Sequence, residues 1–193
     1  MRGIIISAAC ALAVSVAAAG PAAAEQQRIN DPKGDVFRVA ENGTEGEEPL
    51  GSVPNTDVTR SVIRHSAHAV KVSVKYAKLK KNASGFISYD AEIRVPRQGI
   101  YHILILVDPS LKSAAINFTD SHYTTLDCVD AVGIVHPDEG RVLARVPRSC
   151  LDDPKWIRFG ASALSLAKAS SKKAFVDNAL ANGGQLTGKL YAG

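Results

Sequence analysis

Val70-Lys71-Val72-Ser73-Val74-Lys75-Tyr76 is the stretch on which the fold turns. Val70, Val72, Val74 and Tyr76 alternate with Lys71, Ser73 and Lys75. Successive side chains of a strand point to opposite faces, so the first row faces a core and the second faces water. Upstream, across a short turn at Ser66-Ala67, Val58 to His65 reads as a second strand. Downstream, Phe86 to Val95 is a third, ended by Pro96. Ile100 to Val107 is nearly continuous apolar sequence between Gly99 and Asp108-Pro109, which suits a central strand buried on both faces. Ala114 to Thr119 and Thr124 to Val129 are weaker candidates, and Val132 to His136, Arg141 to Val146, Trp156 to Ala163 and Phe175-Val176 are further ones. Short strands, about nine to ten in all, broken by turns and without a long 3.6-residue period, predict an all-β antiparallel sandwich or jelly-roll-like fold. Helix competes only from Ala161 to Lys173, where Ala and Lys favour it.

The N-terminus sets the expected address. Met1-Arg2 is a short positive start, Ile4 to Ala19 is an apolar run, and Gly20-Pro21 breaks it before the small-residue stretch Ala22-Ala23-Ala24. This is the layout of a secretory signal peptide cut after residue 24. A membrane anchor needs about 20 apolar residues, and this run is shorter. Lipidation at Cys10 is disfavoured because Ser7-Ala8-Ala9 lacks a large aliphatic residue before it. The expected organisation is a signal peptide over 1–24, an irregular segment with an acidic loop over 25–54, and a β-sandwich domain over 55–193. Processing would leave a secreted chain with no transmembrane segment.

The processed chain has 169 of the 193 residues, one domain by length, with 22 Lys+Arg against 19 Asp+Glu. So small an excess, with both signs spread along the chain, argues against a nucleic-acid surface. Lys71, Lys75, Lys78, Lys80 and Lys81 form a basic run, read as the solvated face of a strand and a turn because no aromatic residue interleaves to stack bases. Cys128 and Cys150 remain after processing. In an oxidising compartment an even count reads as a bridge, here with one pairing available, worth about 3 kcal/mol by loop entropy.

Several motifs form one series: the opening Asp31-Pro32-Lys33-Gly34-Asp35-Val36, the strand start Asp57-Val58-Thr59-Arg60, and Val146-Pro147-Arg148-Ser149-Cys150-Leu151 followed by Pro154-Lys155-Trp156-Ile157-Arg158. With the signal peptide, this series resembles a group of small secreted actinobacterial proteins with no assigned activity. The resemblance spans most of the mature chain. It implies an exported β-sandwich with a Cys-bearing corner, and it carries no catalytic residues that transfer to this chain. More loosely, the Asp-rich opening looks like that of calcium-assisted carbohydrate-binding sandwiches, whose ligand-lining aromatics are not identifiable in this chain. On a bacterial reading, the glycosylation sequons at Asn42, Asn82 and Asn117 are ordinary polar positions.

Candidate chemistry is sparse. Asp31, Asp35 and Asp57 would converge on a Ca²⁺ ion if the opening turn packs beside the first long strand, although Asp beside Gly and Pro also serves any turn. His65 and His68 flank a turn and would face each other across a hairpin, but a structural Zn²⁺ site needs about four ligands. His102 reads as a core histidine, and Trp156 as a core residue before a sugar platform. No Gly-x-Ser-x-Gly elbow occurs; Ser165-x-x-Lys168 lacks its companion elements, and the phosphate-loop-like run Gly183 to Lys189 lacks a hydroxyl and a following helix. A glycan-active hydrolase would use two carboxylates such as Asp90 and Glu92, a pair disfavoured by their alternation along a strand. The expected function is a non-enzymatic binding or cell-envelope interaction module for a glycan or protein, with the hydrolase and a Ca²⁺-stabilised structural domain as alternatives.

Overall fold

The computed structural model describes residues 24–39, 49–81, 85–97, 99–166, 174–179 and 186–193. The signal peptide (all but Ala24), Cys10, the acidic residues 41–48, the turn 82–84, the helix-favouring residues 167–173 and residues 183–185 lie outside the described residues. Among the described residues twelve strands follow in chain order: β1 (Glu25–Asn30), β2 (Phe37–Val39), β3 (Val58–His65), β4 (Ala69–Tyr76), β5 (Phe86–Val95), β6 (Gly99–Val107), β7 (Ala114–Asp120), β8 (Val132–His136), β9 (Arg141–Pro147), β10 (Trp156–Leu166), β11 (Ala174–Asp177) and β12 (Leu190–Tyr191). Among the described residues the only helical elements are two 3₁₀ turns, Pro137–Glu139 and Arg148–Leu151.

The all-β expectation holds, with every named pairing antiparallel. The strand count and the arrangement need correction. Hydrogen bonding runs through one strongly curled sheet in the order β1-β3-β4-β9-β8-β7-β6-β5-β10-β11-β2, with β12 on β10. Two facing sheets were expected, but β7 and β8 stay joined, by the single pair Ala114↔Gly133. A Cβ on Gly133 would sit 2.5 Å from the Ala114 carbonyl oxygen, so glycine permits that contact. Glu25–Asn30, irregular by its sequence, is β1, because a polar edge strand shows little alternation. Thr124 to Val129 is no strand. The Asp120 carboxylate accepts from the backbone N–H groups of His122 and Thr124 and turns the chain, leaving one bridge, Thr119↔Thr125.

The concave side of the curl holds the core. Val70, Val72, Val74 and Tyr76 of β4 meet Ile87, Tyr89, Ala91 and Ile93 of β5, Ile103 and Ile105 of β6, and Ile157 and Phe159 of β10, all essentially inaccessible. Burying each large side chain contributes roughly 1.5–3 kcal/mol. The Ser61 and Tyr89 hydroxyls bridge the two halves of the curl at 2.7 Å. On β6 the row Tyr101, Ile103, Ile105, Val107 is buried, whereas His102, Leu104 and Leu106 are half-buried. The expectation of burial on both faces holds in full for the first row alone.

The two ends of the sheet approach each other. Val58 at the start of β3 donates its N–H to Asp177 Oδ2 on β11 at 2.6 Å, and Thr56 and Ser165 share a short hydroxyl bond. His65 Nδ1 lies 2.9 Å from the Leu190 carbonyl oxygen, and Glu25 Oε2 accepts from Tyr191 N–H. Cys128 and Cys150 form the expected disulfide, with Cα atoms 5.8 Å apart, linking the β7–β8 connection to the 3₁₀ turn before β10.

Candidate anion-binding face

The outer face of β1, β3, β4, β9 and β8 carries the most unusual side-chain arrangement among the described residues. Register sets it. Between Val58 and Arg60 the β3–β4 ladder shifts by one residue. The bulge turns Val58 and Ser61 both toward the core and leaves Arg60, Val62 and Arg64 outside. Opposite them stand Lys75, Ser73 and Lys71 of β4, and beyond those Arg141, Leu143 and Arg145 of β9.

Three rungs therefore cross the face. Arg64, Lys71 and Arg145 form one, and Arg60, Lys75 and Arg141 another. Four residues of strand separate them, about 13 Å. The rung between is Arg28, Val62, Ser73, Leu143 and Ile134, and Val132 flanks it on β8. The groove enclosed is about 570 Å³ and is lined by seven Lys or Arg side chains and no acid. Val132 and Ile134 are each 47% exposed on its floor.

Like charges directly opposite each other across a ladder are destabilising. In the second rung the cost is partly offset, since Arg141 pairs with Glu139 at 2.7 Å and Lys75 Nζ donates to the Glu139 carbonyl. Arg28, Arg60, Arg64, Lys71 and Arg145 have no acidic partner among the described residues. An anion laid across the first rung would relieve repulsion that the fold itself leaves standing.

Sequence reasoning singled out Lys71 and Lys75 and read them as a solvated face. It did not find the arginines, which come from β1, β3 and β9, strands remote in the chain. Lys78, Lys80 and Lys81 follow β4 and do not line the groove.

The other candidate residues fall elsewhere. Asp31, Asp35 and Asp177 each offer a carboxylate oxygen, and these oxygens lie within 4.8 Å of one another. Asp57 is fully buried beside them, and its charge pushes up the pKa of all three. Desolvation first, then the neighbouring carboxylates, push Asp31 up to about 8; desolvation pushes Asp177 up to about 7 while the Val58 N–H opposes it. Asp177 was missed in the sequence, where it reads as an ordinary strand end. His65 and His68 do not face each other: His65 is buried and His68 exposed. Trp156 is half-buried on β10, with Lys189 Nζ 4.5 Å from the ring centroid. The turn acids around the disulfide have other settings: Asp152 accepts from the Tyr101 hydroxyl at 2.8 Å, Asp153 pairs with Arg148 at 3.4 Å, and Asp127 and Asp130 are exposed.

Asp90 and Glu92, two residues apart on β5, share its outer face, which corrects the reading that their alternation separates them. They line a second groove of about 350 Å³ with Ser162 and Asn178. His102 Nδ1 lies 3.1 Å from Asp90 Oδ2, and its ring stacks on Tyr123. Burial raises the Asp90 pKa and the His102 contact opposes that. Ser162 pairs with Asp90 from β10, and His102 stands on β6, on the other side of β5. The carboxylate is thus between the hydroxyl and the imidazole, where a nucleophilic triad needs the imidazole.

Comparison of the chain with protein-family models, with curated proteins and with solved structures gives no match.

Proposed function

We propose that this chain is an exported, non-enzymatic binding module that seats an anionic amphiphile of the cell envelope on the outer face of β1, β3, β4, β9 and β8. The observation that carries the reading is the Arg64–Lys71–Arg145 rung, three cations in a row with no acidic partner among the described residues. Phosphate or carboxylate groups match the two charged rungs, and an acyl segment matches the aliphatic strip of Val62, Leu143, Ile134 and Val132 between them. The lining contains no aromatic ring, which favours an acyl chain over a stacked sugar. The disulfide agrees with an oxidising compartment, and among the described residues no helix is long and apolar enough to cross a membrane.

Vesicle co-sedimentation tests the reading. Vesicles containing phosphatidylglycerol should retain the protein, and pure phosphatidylcholine should not. Salt at 0.5 M should release it, because exposed charges are screened beyond a few ångströms at that strength. Lys71→Glu and Leu143→Ser should each weaken retention. Equal retention on both vesicle types overturns the proposal. Heparin binding that Lys71→Glu abolishes and Leu143→Ser leaves untouched would replace the amphiphile with a plain polyanion.

The hydrolase reading has one support, the groove shared by Asp90 and Glu92. Turnover of a glycan substrate that is lost in both Asp90→Asn and Glu92→Gln would establish it.

A further inference from the structure

We propose that Asp31, Asp35 and Asp177, with the buried Asp57 carboxylate beside them, bind one Ca²⁺ ion that fastens the two ends of the curled sheet together. The four residues come from separate places along the chain. Asp31 and Asp35 lie in the turn after β1, Asp57 immediately precedes β3, and Asp177 ends β11. They meet at the seam where the Val58 N–H reaches Asp177 Oδ2. This inference stands apart from the anion-binding face, which lies on the outer surface and shares no residue with it.

Unpartnered atoms are the reason to place a cation here. Both carboxylate oxygens of Asp31 and of Asp57, Oδ1 of Asp35 and Oδ1 of Asp177 are buried without a hydrogen-bond partner. Asp57 and Asp177 are 0% exposed and Asp31 is 8% exposed. No Lys, Arg or His lies within ion-pair distance of any of the four among the described residues. Buried charge is stable only when paired or when it coordinates a metal. A proton shared between Asp31 and Asp177 would satisfy that pair alone. It would leave Oδ1 of Asp35 and both oxygens of Asp57 unmatched, whereas one cation gathers Asp31, Asp35 and Asp177 and offsets the charge of Asp57 beside them.

The donor chemistry selects the ion. Every donor is a hard oxygen, with no imidazole or thiolate in the set, which disfavours Zn²⁺ and Cu²⁺. Ca²⁺ takes six to eight oxygens at roughly 2.3–2.6 Å, so oxygens on opposite sides of it stand about 5 Å apart, consistent with the Asp31, Asp35 and Asp177 oxygens lying within 4.8 Å of one another. Mg²⁺ holds on to several waters and uses one or two carboxylates, which suits a wet site better than this buried one.

Calorimetry of the chelated, then dialysed protein tests this. One Ca²⁺ per chain should bind. At a Ca²⁺ concentration a hundred times Kd, the melting midpoint should rise by about 5–10 °C over the value in EDTA. Asp35→Asn should abolish the rise while melting at or above the wild-type midpoint in EDTA, because it removes one charge from a repelling cluster. Asp31→Asn, measured the same way, guards against a local packing defect in the first variant. An unchanged wild-type midpoint with no binding heat overturns the proposal. So does an equal rise with Mg²⁺ at the same concentration, or a loss of midpoint in EDTA for both variants.

Discussion

Lys71 on β4 stands directly opposite Arg145 on β9, cation against cation in the same antiparallel ladder. On its other side Lys71 faces Arg64. A fold selected for stability alone would put an acid at that position. Lys71→Glu should therefore stabilise the protein by about 1 kcal/mol at low salt, since opposite charges across a ladder contribute about 0.2–1 kcal/mol per pair. The midpoint should rise by about 2–4 °C. Scanning calorimetry at 20 mM and 500 mM NaCl checks this, the gain shrinking at high salt. Greater stability together with lost vesicle retention would mark the position as kept for binding.

Gly133 should resist substitution. Its missing Cβ would lie 2.5 Å from the Ala114 carbonyl oxygen and 2.9 Å from the Ala114 Cβ, at the one pair joining β7 to β8. Gly133→Ala is expected to cost about 1–3 kcal/mol, the range for a forced backbone shift. Urea denaturation gives the value. Hydrogen exchange should show faster exchange in β7 and β8 and little change in β5.

His65 links stability to acid. It is fully buried, and desolvation, with help from Arg148, lowers its pKa below the ordinary histidine value, while the Leu190 carbonyl and Glu25 pull the other way. The neutral ring is the folded form. Its contribution is present above pH 6.5 and is lost as pH falls through the lower folded value. Wild-type stability should thus fall more steeply from pH 7 to 5 than that of His65→Gln. Urea midpoints of the two proteins at each pH provide the comparison, and parallel curves would refute it.

Replacing Cys128 and Cys150 by Ala opens a loop of about 23 residues and is expected to cost about 3 kcal/mol. Denaturant unfolding of the double variant, set beside wild type with and without reductant, measures this.

Much of the fold was legible because alternation is a local signal. Val58–His65, Phe86–Val95 and Val132–His136 begin and end where the apolar rhythm does. Glu25–Asn30 was not legible, since Ile29 is its only large apolar residue and a single core contact leaves no alternation to read. The order of strands was also hidden. Nothing local says that Val72 pairs with Ala144, and without that pairing Lys71 and Arg145 are simply two scattered charges. Asp31, Asp35 and Asp57 drew attention as turn acids near a strand start. Asp177 gave no such signal, because only the meeting of β3 with β11 brings it to them.

The late arrival of β9 has a bearing on how the polypeptide survives its own synthesis. β4 waits for a partner whose residues are translated some seventy positions later, Val72 for Ala144. Meanwhile its backbone donors and acceptors form an open edge, the kind of template on which chains aggregate. Lys71 and Lys75 stand on the outer face of that strand, and charge beside an open edge repels a second copy. The same side chains thus guard the nascent strand first and build the finished surface afterwards.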